Sequence, residues 1–379
     1  MTLAASLGGC TSTGAASTSS VTATATSTAW ARTSTPAVPL AGKVQPPPQG
    51  AYLGVYVPPA PFELTAVDDF RTSVGKDVSI VMWYQPWARS NRARFDSAAC
   101  LALMRRGKVP MITWEPCVPG SNANTVKNPS KQPAYRLSAI NGGAYDPYLR
   151  QWARDIRALG GPVMLRPMHE MNGDWYPWSG TANGNTPAEF VTVWRHIHDI
   201  FAAEGATNVT WVWSINHASV PSGSSNRYGA YYPGAGYVDW TAISGFNWGT
   251  SGPGERWRSF SHYYDAPLTY LKTLRKPICV AEFASVEQGG NKGAWITDAY
   301  RRIRAIPQIK AVIYYDALET GGPSTQDWRV NTSLGSLAAF RSAVAPGYFV
   351  PGPSAALSAW GNSLQAGDWA YLSGLIPIY

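Results

Sequence analysis

Between residues 52 and 345 the chain repeats one pattern: a short apolar run of strand character, then a stretch of helical period. The apolar runs fall at 52–57, 78–84, 109–114, 162–168, 208–214, 241–247, 277–283 and 309–315. They are nearly continuous in aliphatic and aromatic residues, as strands covered on both faces require. The clearest helical stretches are 147–159, 187–204, 266–274, 294–305 and 334–344. The second has a defined start: Thr186 can cap it, Pro187 suits the first turn, and Glu189 favours the helix dipole. Eight strands in βα alternation predict an α/β fold, a closed (β/α)₈ barrel of the TIM type. The rival is a doubly wound open sheet, weakened because no Gly-rich phosphate loop follows a strand.

In such a barrel the working face is formed by the C-terminal strand ends and the loops after them. Chemistry-bearing residues collect there. Trp83, Tyr84 and Trp87 follow the second strand, Trp114 and Glu115 the third, and His169, Glu170, Trp175 and Trp178 the fourth. Asn216 and His217 follow the fifth, Asn247 and Trp248 the sixth, Glu282 the seventh, and Tyr314, Tyr315 and Asp316 the eighth. Glu170 and Glu282 each end a buried-type strand, and closure of the ring sets them across the mouth from one another. Most glutamates merely sit in solvent. Two at strand ends, one beside a Trp-rich loop, fit a glycosidase, which needs two carboxyl groups flanking one bond. The 17 Trp and 20 Tyr agree, since aromatic faces stack on sugar rings, although about half should simply pack in the core. A zinc-protease reading of His169-Glu170 fails because the required second His is Gly173.

The formal charge of +8 comes from dispersed basic residues without a Lys/Arg block, so no nucleic-acid partner is expected. The spacing of Cys10, Cys100, Cys117 and Cys279 matches no metal pattern. Cys279 reads as an inert core residue, and Cys100 and Cys117 are free to pair in an oxidising compartment. No apolar run reaches transmembrane length.

Residues 1–45, almost all Ser, Thr, Ala, Gly and Pro, read as a disordered leader or tether; 46–345 form the barrel; 346–379 are a strap over it or a tail. Within the tether, Leu7-Gly8-Gly9-Cys10 resembles the lipobox of bacterial lipoproteins, without a basic segment before it. That resemblance implies a secreted or envelope-anchored bacterial protein lipidated at Cys10. A monomer is expected.

The run Arg166-Pro167-Met168-His169-Glu170-Met171-Asn172-Gly173-Asp174-Trp175 resembles the family 26 glycoside hydrolases, a group of β-mannanases, mixed-linkage β-glucanases and some β-1,3-xylanases. Ala281-Glu282-Phe283 fits the family's nucleophile strand, and Asp327-Trp328-Arg329 resembles a segment of the glucanase-like members. The resemblance implies an endo-acting retaining hydrolase with Glu170 as acid/base and Glu282 as nucleophile. It places His169 beside the acid and Trp175 in the sugar cleft, and needs no cofactor or metal. Trp178, Trp114, Asn216, Trp248 and Tyr315 are the further substrate-binding candidates. Trp175-Tyr176-Pro177-Trp178 is closer to the glucanase-like branch than to the mannanases. Ser244 and Phe246 stand where the family usually has Asp and Tyr, and Tyr315 where it often has Trp. A Phe cannot donate a hydrogen bond to the nucleophile, so a glycan-binding protein without turnover is the alternative reading.

Overall fold

The computed structural model describes residues 42–87, 93–118, 130–320 and 324–363. The tether to residue 41, Cys10, Trp369 and Tyr371 lie outside them. Eight parallel strands close in sequence order into one barrel: β1 (Tyr52–Tyr56), β2 (Ile80–Pro86), β3 (Val109–Glu115), β4 (Val163–Pro167), β5 (Val209–Asn216), β6 (Trp240–Asn247), β7 (Ile278–Ser285) and β8 (Ile309–Tyr315). β5 and β7 are buried at every position. One strand face meets the barrel interior and the other the helices, which is why these runs carry no polar alternation.

The helices are α1 (Thr65–Val74), α2 (Ser97–Arg105), α3 (Leu137–Asn141), α4 (Asp146–Leu159), α5 (Pro187–Ala203), α6 (Phe260–Thr273), α7 (Lys292–Arg304), α8 (Leu334–Val344) and α9 (Ser354–Ser363). A two-stranded hairpin, β9 (Leu318–Glu319) with β10 (Gln326–Asp327), follows β8. At the start of α5, Thr186 and Glu189 form a reciprocal capping box around Pro187, satisfying free N–H groups of the first turn. α6 begins earlier than the sequence pattern suggests, at a Ser259 cap, and runs through Pro267.

The strand-start end is sealed by both flanks of the barrel. The Val44 N–H donates to Thr210 Oγ1 at 2.7 Å, and Trp240 Nε1 donates to the Val44 carbonyl at 3.0 Å. At the other flank Phe349 bridges Ala51, and α9 packs on α2, with Ser358 Oγ donating to the Arg105 carbonyl at 2.8 Å. Among the described residues no disulfide joins Cys100, Cys117 or Cys279, all buried, and no helix is long and apolar enough to cross a membrane.

Candidate active site

β3 sets the geometry. Thr113 faces the barrel axis, where its hydroxyl accepts from Arg166 Nε at 2.9 Å. Trp114 faces the helices and packs on Trp152 and Phe201. The two-residue period therefore turns Glu115 to the interior side, one layer above Thr113. Arg166, registered with Thr113 on β4, is fully buried and spreads its donors across the barrel. Nη1 reaches Ser214 Oγ on β5 and Ser244 Oγ on β6, each at 3.3 Å, and Nη2 pairs with Glu282 Oε1 on β7. A planar fork with five N–H groups is suited to this task. Burial is the largest single influence and opposes the Arg166 charge, but Glu282, Tyr84 and Glu170 together outweigh it and the guanidinium stays ionised.

Glu282 owes its aim to an irregularity in β7. Ile243 of β6 pairs with Val280, whereas the next residue, Ser244, pairs with Glu282, so Ala281 is an inserted residue. A second register shift spans Val280 to Phe283 on the β8 side. Such bulges bend a strand and redirect a side chain. The Tyr264 hydroxyl holds the bent segment, lying 2.6 Å from the Gly245 carbonyl and 3.2 Å from that of Glu282.

Glu170 stands just past β4 in a left-handed backbone conformation, φ 53°, two residues after Met168 at φ 50°. Side chains rarely adopt this region, at a cost of about 1–3 kcal/mol each. The surroundings fix it: the Met168 N–H donates to the Trp114 carbonyl at 3.0 Å and the Glu170 N–H to the Ser214 carbonyl at 2.9 Å. Asn172 stitches the same loop to β5, accepting from the Asn216 N–H at 2.8 Å and donating to the Asn216 and Ala218 carbonyls. Trp175 Nε1 donates to Glu170 Oε2 at 3.1 Å. Its ring lies flat against Gly173, where a Cβ would come within 2.5 Å of the indole. Burial, then the Glu282 charge, pushes the Glu170 carboxyl up to about 8, against the opposing pull of Arg166, Trp175 and Ser244. The two carboxyl groups thus occupy unlike surroundings.

His169 is wholly buried; burial and Arg166 hold it well below its ordinary range, so the ring is neutral. Nε2 shares a hydrogen bond with the Tyr176 hydroxyl at 3.0 Å and lies 4.0 Å from Glu282 Oε1. Glu115 is a third carboxyl of the site, raised to about 8 by burial and by Glu282.

The remaining candidates divide. Trp175 is half-buried beside Glu170, and Trp248 is half-buried at the end of β6, edge-on to Trp328. Trp178 and Trp114 offer no surface to a sugar: both are completely buried. Trp178 stacks on Tyr176 at 4.3 Å and donates to the His169 carbonyl at 2.7 Å, so it supports the loop after β4 from behind. Trp114 faces outward because it sits one residue out of phase with Thr113. Asn216 spends its amide on the Ala218 carbonyl, at 2.8 Å, and its oxygen on His217. Tyr315, only 7% exposed, packs on Tyr56 and Phe246 and forms the base of one wall.

Sequence reasoning passed over Glu319, which bonds Tyr315 and Trp328, and the hydroxyls of Thr113 and Ser214 beside Arg166; it singled out Ser244 as a departure from the family pattern but not as a partner of Arg166. Strand phase relative to Arg166 would have found the hydroxyls; a hairpin residue beyond the last strand carries no comparable signal. Among the described residues no group of three or more His, Cys, Asp or Glu is placed to hold a metal ion.

A family model described as glycosyl hydrolase family 26 matches residues 64–253. Over 303 residues the chain is 39% identical to Endoglucanase H of Acetivibrio thermocellus, an overlap of 79% of this chain and 31% of that protein. It is 25% identical over 227 residues to a mannan endo-1,4-beta-mannosidase of Bacillus subtilis, covering 56% of each. The chain thus spans about a third of the first relative's length and little more than half of the second's. The catalytic domain of an endo-beta-1,4-mannanase from Bacillus sp. JAMB-750 shares the fold, with TM-score 0.59 and 17% identity over 82% of this chain and 89% of that one.

Proposed function

This chain belongs to glycosyl hydrolase family 26, and we propose that it is an endo-acting hydrolase of β-linked polysaccharide working by double displacement. The observation that carries the reading is the contrast between two buried carboxyl groups on one barrel mouth. Glu282 is held by the Arg166 guanidinium, while burial and the Glu282 charge keep a proton on Glu170. A retaining glycosidase needs a protonated acid beside a second carboxyl group that serves as nucleophile.

In this reading Glu170 protonates the leaving glycosidic oxygen as Glu282 attacks the anomeric carbon and forms a glycosyl-enzyme. The departing proton leaves Glu170 as a carboxylate, stabilised by the Trp175 N–H. That carboxylate then takes a proton from water, which displaces Glu282 and regenerates both groups. Trp175 and Trp248 present half-buried rings for sugar stacking.

The identity to Endoglucanase H, higher than to the mannosidase, favours a β-glucan such as mixed-linkage β-1,3-1,4-glucan over β-1,4-mannan. Hydrolysis of lichenan, glucomannan, galactomannan and β-1,3-xylan tests the substrate. Wild type should degrade lichenan, and Glu170→Gln and Glu282→Gln should each lose several orders of magnitude in turnover. Inactivity on the whole set would favour the glycan-binding alternative. Proton NMR should show the β-anomer first; the α-anomer first would exclude the covalent route. The Ser/Thr/Ala-rich leader supports an envelope location with attachment at Cys10, which requires Cys10→Ser to abolish detergent-phase partitioning of the full precursor.

A further inference from the structure

Glu319 lies on β9, four residues past Tyr315, the last residue of β8. Its Oε1 accepts from the Tyr315 hydroxyl at 2.6 Å and its Oε2 from Trp328 Nε1 at 3.1 Å. Both donors are buried, Tyr315 at 7% and Trp328 at 1% exposure, whereas Glu319 itself is exposed. A carboxylate with one donor fixed on each oxygen keeps acceptor capacity on both. Here that spare capacity is turned outward in a set orientation. A solvent-exposed Glu ordinarily loses rotamer freedom when it grips a ligand; Glu319 is already ordered, so little of that loss remains.

The place matters as much as the orientation. Tyr315 lies against Tyr56 at 4.5 Å and edge-on to Phe246 at 5.1 Å, and Trp328 contacts Phe246 at 4.9 Å and Trp248 at 5.2 Å. Glu319 therefore caps a continuous aromatic wall on the working face of the barrel. The wall also reaches the reactive carboxyl: the charges of both Glu319 and Glu282 act on the Tyr56 and Tyr315 hydroxyls. The half-buried rings of this wall, Tyr56, Phe246 and Trp248, beside a fixed acceptor pair suit a sugar ring, which presents apolar C–H faces and a rim of hydroxyls.

We propose that Glu319 is a specificity-determining residue of the cleft, its carboxylate accepting hydrogen bonds from adjacent hydroxyls of a glycan ring stacked on that wall. This rests on the glycanase reading. The test uses the full chain carrying Glu170→Gln, which should bind glycan without turning it over. Calorimetry with tetrasaccharides of mixed-linkage β-glucan and of β-1,4-mannan, below the melting midpoint, gives the affinity. Adding Glu319→Gln should weaken binding about tenfold, the worth of one hydrogen bond to a charged acceptor. Adding Tyr315→Phe instead, which removes one orienting donor and keeps the ring, should weaken it about threefold. A residue that only pins the hairpin would lower the melting midpoint and leave affinity unchanged, and unchanged affinity in both variants overturns the proposal. If the Glu170→Gln chain binds neither tetrasaccharide and wild type cleaves no glycan, the glycanase reading fails and takes this one with it.

Discussion

Replacing Trp175 by Phe should move the alkaline limb of activity upward. The indole N–H donates to Glu170 Oε2 at 3.1 Å, and this bond pulls the carboxyl down against the larger upward effects of burial and the Glu282 charge. Such a bond is stronger to a carboxylate than to a carboxylic acid: about 1.5–3 kcal/mol against 0.5–1.5 for a neutral acceptor. The difference, roughly 1–1.5 kcal/mol, corresponds to about one pH unit. Phe keeps an aromatic face but cannot donate. Since Glu170 must be protonated to act as acid, the fall in kcat/KM that wild type shows as pH rises through about 8 should begin later in the variant. KM should rise modestly because the phenyl ring covers less of a sugar. The measurement is kcat/KM against pH for both proteins on one soluble glycan, with circular dichroism to confirm that both stay folded across the range. An alkaline limb that stays put, or moves to lower pH, would refute either the role of Glu170 as acid or the part Trp175 plays in setting its proton affinity.

Arg166→Met should destabilise the protein by about 3–5 kcal/mol in urea unfolding, because it strands the Glu282 carboxylate in a dry site without its counter-ion; adding Glu282→Gln should recover part of that loss. Trp178→Phe removes the donor to the His169 carbonyl and should cost about 1–3 kcal/mol of stability, with KM changed far less than in Trp175→Ala; a large KM effect would mean that Trp178 reaches sugar. Glu115 and Glu170 both have folded-state values raised from 4.5 to about 8, so each keeps its proton in the folded chain after the unfolded chain has lost it. Their contribution to stability is full below pH 4.5 and declines as pH climbs to about 8, so Glu115→Gln or Glu170→Gln should flatten the fall of the urea midpoint across that window.

The barrel was legible because a parallel strand covered on both faces cannot carry polar alternation. Each of the eight apolar runs accordingly marked its strand to within a few residues. Helices were less visible. α1 has no side-chain cap, α2 is short and followed by Arg106, and Pro267 made the middle of α6 look like a start. Position along the chain placed Glu170 and Glu282 on one face, but it does not say which way a ring points. Trp114 and Trp178 sit at the mouth in sequence and behind it in space, because strand phase and the fold of the loop after β4 decide orientation. Arg166 is the opposite case: a charge inside an apolar strand is rarely tolerated, and its reach to three hydroxyls and Glu282 shows what makes it tolerable.

On the proposed mechanism, the left-handed backbone at residue 170 sets the stability of this protein against its activity at one position. Glycine would adopt that conformation freely and would also remove a carboxyl group whose burial disfavours its charge. Replacing Glu170 by Gly would therefore relieve the backbone strain at any pH and, above about pH 8, the cost of a buried charge, against the loss of the acceptor that Trp175 Nε1 uses. A screen of variants for heat resistance alone would favour relief of that backbone strain and, on the proposed mechanism, would select against the group that gives the proton. A stabilisation campaign on this scaffold should hold residues 168 and 170 fixed and seek its gains on the helices.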